Sequence, residues 1–108
     1  MNNRWAVFTV NPEAVPIVVI SSGTFNKDMN VVTVVPLIPR KEGRRIYPHE
    51  ALIKASSTGL PSETIALVHH ITTIPKKRLS NRHGTIDNRG ERKAVFDALS
   101  NHLEMYWD

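Results

Sequence analysis

The chain opens with short apolar runs broken by polar punctuation and ends in apolar residues at helical spacing. Residues 5–10, 16–20, 31–37, 51–54 and 64–70 are rich in Val, Ile and Thr, and Asn-Pro, Ser-Ser-Gly, Pro and Gly bound them as they bound strands. Their uninterrupted Val and Ile runs predict strands buried on both faces. The final segment changes period. Asn88, followed three residues later by Glu91, reads as a capping box, and Val95, Leu99, Leu103 and Tyr106 recur along one helical face. These elements predict a single domain over residues 1–108 in the α+β or mainly-β class. Its architecture is a small, strongly bent antiparallel sheet or SH3-like open barrel covered by a C-terminal helix.

Composition narrows the possibilities further. A chain of 108 residues, 41% apolar, suits one globular core, and its longest apolar runs, near 15–20 and 31–38, fall short of the roughly 20 residues a membrane helix needs. No secretory leader is legible at the start, and the absence of cysteine excludes disulfides and thiolate chemistry, so a cytoplasmic location is expected. The net charge of +4 is concentrated: Arg40, Lys41, Arg44 and Arg45 fall in one loop, and Lys76, Lys77 and Arg78 in another segment. Clusters of this kind release counterions from a polyanion, and they also serve simply as solvated faces.

The candidate chemistry lies between those clusters. His69 and His70 end the fifth apolar run, and histidine can both take and give a proton near neutrality. Cleaving RNA without a metal requires such a base and acid, together with cations or donors for the developing phosphorane charge. On a strand, neighbouring side chains point to opposite faces, so His70 and Thr72 would share a side while His69 would face away. The competing reading packs one histidine in the core and leaves the other on the surface. No metal and no cofactor is expected, because two histidines on opposite faces cannot chelate one ion and His49, His83 and His102 show no ligand spacing. Residues 21–24 read as a turn and lack the Lys of a phosphate loop. Arg44, Arg45 and Tyr47 offer cation and stacking contacts to an unpaired base, although Tyr47 is expected to pack on the sheet.

The stretch Ile71-Thr72-Thr73-Ile74-Pro75-Lys76-Lys77-Arg78-Leu79 is similar to the segment of MazF/PemK toxins that reads Arg-Thr-Ile, a polar residue, Lys, a basic residue and Arg-Leu. Residues 5–10, 16–21 and 31–37 resemble that family's first three strands, and Tyr47-Pro48 resembles a pair found there and in the related gyrase poison CcdB. The short connection at residues 11–15 and the terminal Tyr106-Trp107-Asp108 lean toward the CcdB branch. The resemblance implies a homodimeric toxin of a type II toxin-antitoxin pair, neutralised by a cognate antitoxin that covers its groove. It implies endoribonuclease action on single-stranded RNA; DNA gyrase is the alternative target, and a catalytically silent binding relative is a third reading.

The same resemblance places the usual catalytic Arg and Thr at positions held here by Val15 and Ile38, neither of which can donate to an oxyanion. Substitutes are expected in His70, His69 and Thr72, aligned with the acidic residue and its neighbours that act in Kid-like toxins, with Arg40 as charge stabiliser. Lys41, Arg44, Arg45, Lys76, Lys77, Arg78 and Ser21 are the expected RNA contacts, and Lys76–Arg78 the alternative seat for an acidic antitoxin segment. Trp107 is expected to be buried as a plug at the helix end rather than exposed for gyrase.

Overall fold

The structure is a computed structural model describing residues 3–105, so the expectations for Tyr106, Trp107 and Asp108 lie outside the described residues. Seven strands form one antiparallel sheet: β1 (Ala6–Val10), β2 (Val15–Val19), β3 (Val31–Pro39), β4 (Glu50–Ile53), β5 (Thr64–Leu67), β6 (Thr72–Pro75) and β7 (Leu79–Thr85). The order is β4-β5-β3-β2-β1-β7, with β6 also on β3. The sheet is open, since β4 pairs only with β5 and β7 only with β1. Three helices accompany it: α1 (Gly23–Asp28), α2 (Ala55–Thr58) and the long α3 (Arg89–Leu103). No helix among the described residues is long and apolar enough to cross a membrane.

The bend originates in β3. One edge carries β2, while the other is shared by β6 along Val31–Val34 and by β5 along Leu37–Pro39. In the interval between Val34↔Thr72 and Leu37↔Ala66, Val35 and Pro36 face the five residues 67–71. The surplus is extruded as a 3-10 turn, Val68–His70. Pro36 has no N–H to give a neighbouring strand, which makes this a natural place for the ladder to break. The expected fifth strand therefore ends at Leu67, and the strand geometry expected for His69 and His70 does not apply.

Alternate residues of β2 and β3 serve two cores, as the Val and Ile runs predict. Val18, Val35 and Leu37 pack with Trp5, Ile53, Val68, Ile86 and Val95 beneath α3. Ile17, Val19, Val32 and Val34 join Val10 and Ile74 on the other side of the bend. Helix α3 starts where the sequence indicates, with Asn88 Oδ1 accepting the Glu91 N–H at 2.9 Å. The other half of the capping box is not made. The Glu91 carboxylate turns inward, accepting the Lys54 N–H at 2.7 Å and the Ser57 hydroxyl. The buried helix face comprises Glu91, Val95 and Ala98, with Leu99 partly covered, while the expected Leu103 is exposed.

Residues 21–24 differ from the expected turn. Ser22 caps α1, its Oγ accepting the Phe25 N–H at 3.2 Å. Ser21 donates to Oδ1 of the fully buried Asn26 and accepts the Thr33 N–H at 3.0 Å. These bonds fasten α1 to β3 and give Ser21, an expected RNA contact, a structural role. At the far side of the sheet α2 meets β7 so closely that a Cβ on Gly59 (φ 78°) would lie 2.1 Å from the His83 carbonyl oxygen. Only glycine fits that approach.

Candidate functional site

Pairing of Glu50 with Leu67 at the end of β5 brings the preceding loop against the extruded 3-10 turn. Arg44 holds the Glu50 carboxylate in a two-pronged ion pair, Nη1 to Oε1 at 2.7 Å and Nη2 to Oε2 at 2.8 Å, and the Tyr47 N–H adds 3.0 Å to Oε1. Glu50 is buried, and the Arg44 hydrogen bonds, aided by the Tyr47 N–H, hold its pKa down to about 2 against the opposing effect of burial. Arg44 is correspondingly raised by its bonds to Glu50. The loop thus anchored presents Tyr47 outward, stacked on His49 at 5.8 Å, with the Arg45 guanidinium 5.3 Å from the Tyr47 ring. Tyr47 is 44% exposed and does not pack on the sheet as expected.

His69 is the hub of four imidazoles. Its ring lies 4.4 Å from that of His49, 4.3 Å from His70 and 6.1 Å from His102 on α3. Asn101, beside His102, donates to the Pro48 carbonyl at 3.1 Å and ties the helix to the loop. Burial lowers the His69 pKa most, followed by the neighbouring imidazoles His70 and His49. His69 Nδ1 is buried and has no hydrogen-bond partner, whereas His70 is exposed. The expected separation of the histidines onto opposite faces is corrected by the 3-10 turn, which keeps both rings in contact. The expected lack of ligand spacing also needs correction: nitrogen or oxygen atoms of His49, Glu50 and His69 lie within 4.8 Å of one another.

The expected charge stabiliser is elsewhere. Pro39 pairs with Thr64 at the start of β5, and there Arg40 bonds Glu63 at 3.3 Å, at the opposite end of the strand from His70. The basic turn Lys76–Arg78 forms as a 3-10 turn, but its charges are partly committed. Lys76 donates to the Asn26 carbonyl; Arg78 donates to the Asn11 carbonyl at 2.8 Å and pairs with Glu13 at 2.6 Å. Lys41, Arg45 and Lys77 have exposed side chains and no carboxylate partner among the described residues.

A second feature adjoins the cluster along the chain. Thr72, two residues past His70, lines a cavity of about 350 Å³ with Thr73, Arg78, Glu13 and Val15. Val15, where the resemblance puts the family's catalytic Arg, is an apolar wall here, and Arg78 supplies the guanidinium. Its partner Glu13 is the polar group that sequence reasoning missed. Its own backbone N–H, then Arg78, lower the Glu13 pKa. The only signal for it in the sequence is its place in the short connection between the first two strands.

The two perturbed groups around His69 make stability depend on pH. Both folded-state pKa values lie below the ordinary ones, 6.5 for His69 and 4.5 for Glu50, so the unfolded chain binds protons more tightly. Their contribution is complete at neutral pH. It declines first as pH falls below about 6.5 and the His69 proton adds, then from about 4.5 toward 2 as Glu50 protonates. Urea midpoints should therefore fall steadily from about pH 7 to about pH 3, and Glu50→Gln should flatten the more acid part. Equal midpoints at the two ends would contradict this.

A family model described as PemK-like, MazF-like toxin of type II toxin-antitoxin system matches residues 4–103. Comparison with curated protein sequences finds no match. Among solved structures, the chain resembles an endoribonuclease in complex with its cognate antitoxin from a mycobacterial species. That match has 21% identity and a TM-score of 0.83, over 100% of both chains. It also resembles the Mycobacterium tuberculosis toxin MazF-mt6, with 18% identity and a TM-score of 0.79 over 94% of this chain and 99% of the other. A MazE-MazF structure from Deinococcus radiodurans gives 19% identity and a TM-score of 0.75 over 96% and 97%. At these identities the matches establish the fold.

Proposed function

The chain belongs to the PemK-like, MazF-like toxin family of type II toxin-antitoxin systems, and on that premise we propose that it is an endoribonuclease that cuts single-stranded RNA without a metal. The observation that carries this reading is the histidine cluster set against Arg45 and Tyr47. His70, exposed at the rim, takes the proton of the 2′-hydroxyl as that oxygen attacks the adjacent phosphorus. A second imidazole of the cluster, His49, protonates the departing 5′-oxygen, and the products are a 2′,3′-cyclic phosphate and a free 5′-hydroxyl. Arg45 takes the charge-stabilising role in place of Arg40, whose guanidinium is engaged by the Glu63 carboxylate and the Arg44 carbonyl. Tyr47 offers a stacking face to an unpaired base.

The cavity holding Thr72, Thr73 and Arg78 receives the neighbouring nucleotide, its hydroxyls and guanidinium serving as phosphate donors. Two residues of backbone separate His70 from Thr72, at most about 7 Å, so one substrate strand reaches both. The mycobacterial endoribonuclease is in complex with its cognate antitoxin, and the Deinococcus MazF is paired with MazE. An antitoxin partner and a homodimeric toxin are part of the same proposal.

The test is single-stranded RNA incubated with the purified chain in excess chelator. Fragments ending in a cyclic phosphate support the reading. Intact RNA, with a chain that instead traps gyrase on DNA, would replace it with the gyrase one.

Binding should show which cations are free. Replacing Lys41, Arg45 and Lys77 together by Ala should flatten the dependence of log K on log salt by about 2, at roughly 0.7 per single-strand phosphate contact. Lys76 and Arg78, already engaged by Asn26 and Glu13, should change it less. An unchanged slope in the triple variant would reassign those residues to protein partners.

A further inference from the structure

We propose that His49, Glu50 and His69 form a binding site for a divalent transition-metal ion of the zinc class. These residues come from the end of a loop, the first position of β4 and the extruded 3-10 turn, and the fold brings their donor atoms within 4.8 Å of one another. Atoms bound to one zinc ion at about 2.0 to 2.2 Å in tetrahedral array sit roughly 3.3 to 3.6 Å apart. Closing the difference needs about 1 Å of side-chain movement, which rotation of the partly exposed His49 ring can supply.

Two independent features show that the donors have capacity to spare. His69 Nδ1 is buried with no hydrogen-bond partner, and a buried nitrogen lone pair left unused is costly unless something takes it. Glu50 is nearly saturated in one direction only. Its Oε1 accepts from both Arg44 and Tyr47, while Oε2 accepts a single bond from Arg44 and keeps one lone pair open. That is the arrangement of a one-oxygen ligand whose orientation is fixed from behind, as outer partners fix metal-bound carboxylates. His70 and His102, with rings 4.3 and 6.1 Å from His69, can supply a fourth donor.

Donor chemistry selects the ion. Two imidazoles and one carboxylate suit Zn²⁺, Cu²⁺ or Ni²⁺, whereas Mg²⁺ and Ca²⁺ require oxygen shells. Arg44 already neutralises Glu50, so the ion should bind more weakly than at a carboxylate-rich site. Ion binding itself does not depend on the nuclease activity. Its consequence does rest on that reading: an ion on these nitrogens takes His49 away from protonating the departing 5′-oxygen, so Zn²⁺ should silence RNA cleavage.

The experiment titrates the full chain with Co²⁺ and follows the intense visible absorption of four-coordinate cobalt. One equivalent should saturate it, Zn²⁺ should displace it and Mg²⁺ should not. His49→Gln and His69→Gln should each weaken binding by at least about 10-fold, the loss typical even of an outer partner. His83→Gln should leave it unchanged, because His83 bonds Thr9 at 2.6 Å on the far strand. On the unaltered chain, Zn²⁺ should shift the imidazole NMR signals of His49 and His69 and leave His83 in place. No cobalt absorption, titrations unaffected by both His49→Gln and His69→Gln, or NMR shifts spread equally over all five histidines would overturn the proposal. Loss of RNA cleavage in every preparation would remove the nuclease reading and leave the cobalt result standing.

Discussion

Replacing His70 by Ala should lower the rate of single-stranded RNA cleavage by about 100-fold or more, the usual contribution of a positioned general base. The loss should be confined to the chemical step. His70 is exposed on the 3-10 turn, so its removal opens no core cavity and the variant should melt where the parent does. His69, with its Nδ1 buried and three imidazoles around its ring, is poorly placed to reach a 2′-hydroxyl in solvent, so it should not take over. His83→Ala, removed from the cluster on β7, is the control for a general effect of losing an imidazole. Equal rates for parent and His70→Ala, in preparations free of contaminating nuclease, would reject the assignment.

Glu91→Ala should destabilise the fold by about 3 kcal/mol, since hydrogen bonds to a charged group are worth roughly 1.5–3 kcal/mol and two are lost. Glu91 is 8% exposed, and its carboxylate satisfies the Lys54 N–H at the start of α2 while also holding Ser57. Truncation leaves that N–H without its acceptor in a place water reaches poorly. For a domain with about 5–15 kcal/mol in total, this is a large fraction. Helix α3 also carries Asn101 and His102, so loosening its start should loosen the edge of the histidine cluster. Urea unfolding measures the first effect. A loss below about 1 kcal/mol would mean that solvent replaces both bonds.

The sheet was legible where pattern and pairing agree. Residues 6–10, 15–19 and 31–39 are apolar runs with clear punctuation, and Asn88 with Glu91 marks the start of α3. β7 reads poorly because it is an edge strand, Leu79-Ser80-Asn81-Arg82-His83-Gly84-Thr85, mostly polar and paired on one side only. The 3-10 turn at residues 68–70 is invisible for another reason. It exists because β5 and β6 must both pair with β3 across an interval of unequal length, a tertiary requirement with no local signature.

The same distinction governs the site. The residue types stand out in the sequence: paired histidines, Arg44 and Arg45, Tyr47. Their company does not, since His49 and His102 reach His69 only through the β4–β5 register and the packing of α3. Charge clusters mislead in a related way. Arg40 and Arg44 are neighbours in one basic loop, yet Glu63 claims the first at one end of β5 and Glu50 the second at the other.

The most direct measurement is the pH dependence of kcat/KM for cleavage of single-stranded RNA in excess chelator, for the parent and His70→Ala. Proton transfer between imidazoles predicts a bell with both limbs between about pH 5 and pH 8, where histidines titrate. The variant should be slower throughout and lack the acid limb, because the group that must be unprotonated is gone. Cleavage that rises with hydroxide across the whole range, or a bell retained at full height in His70→Ala, would contradict a histidine-based nuclease.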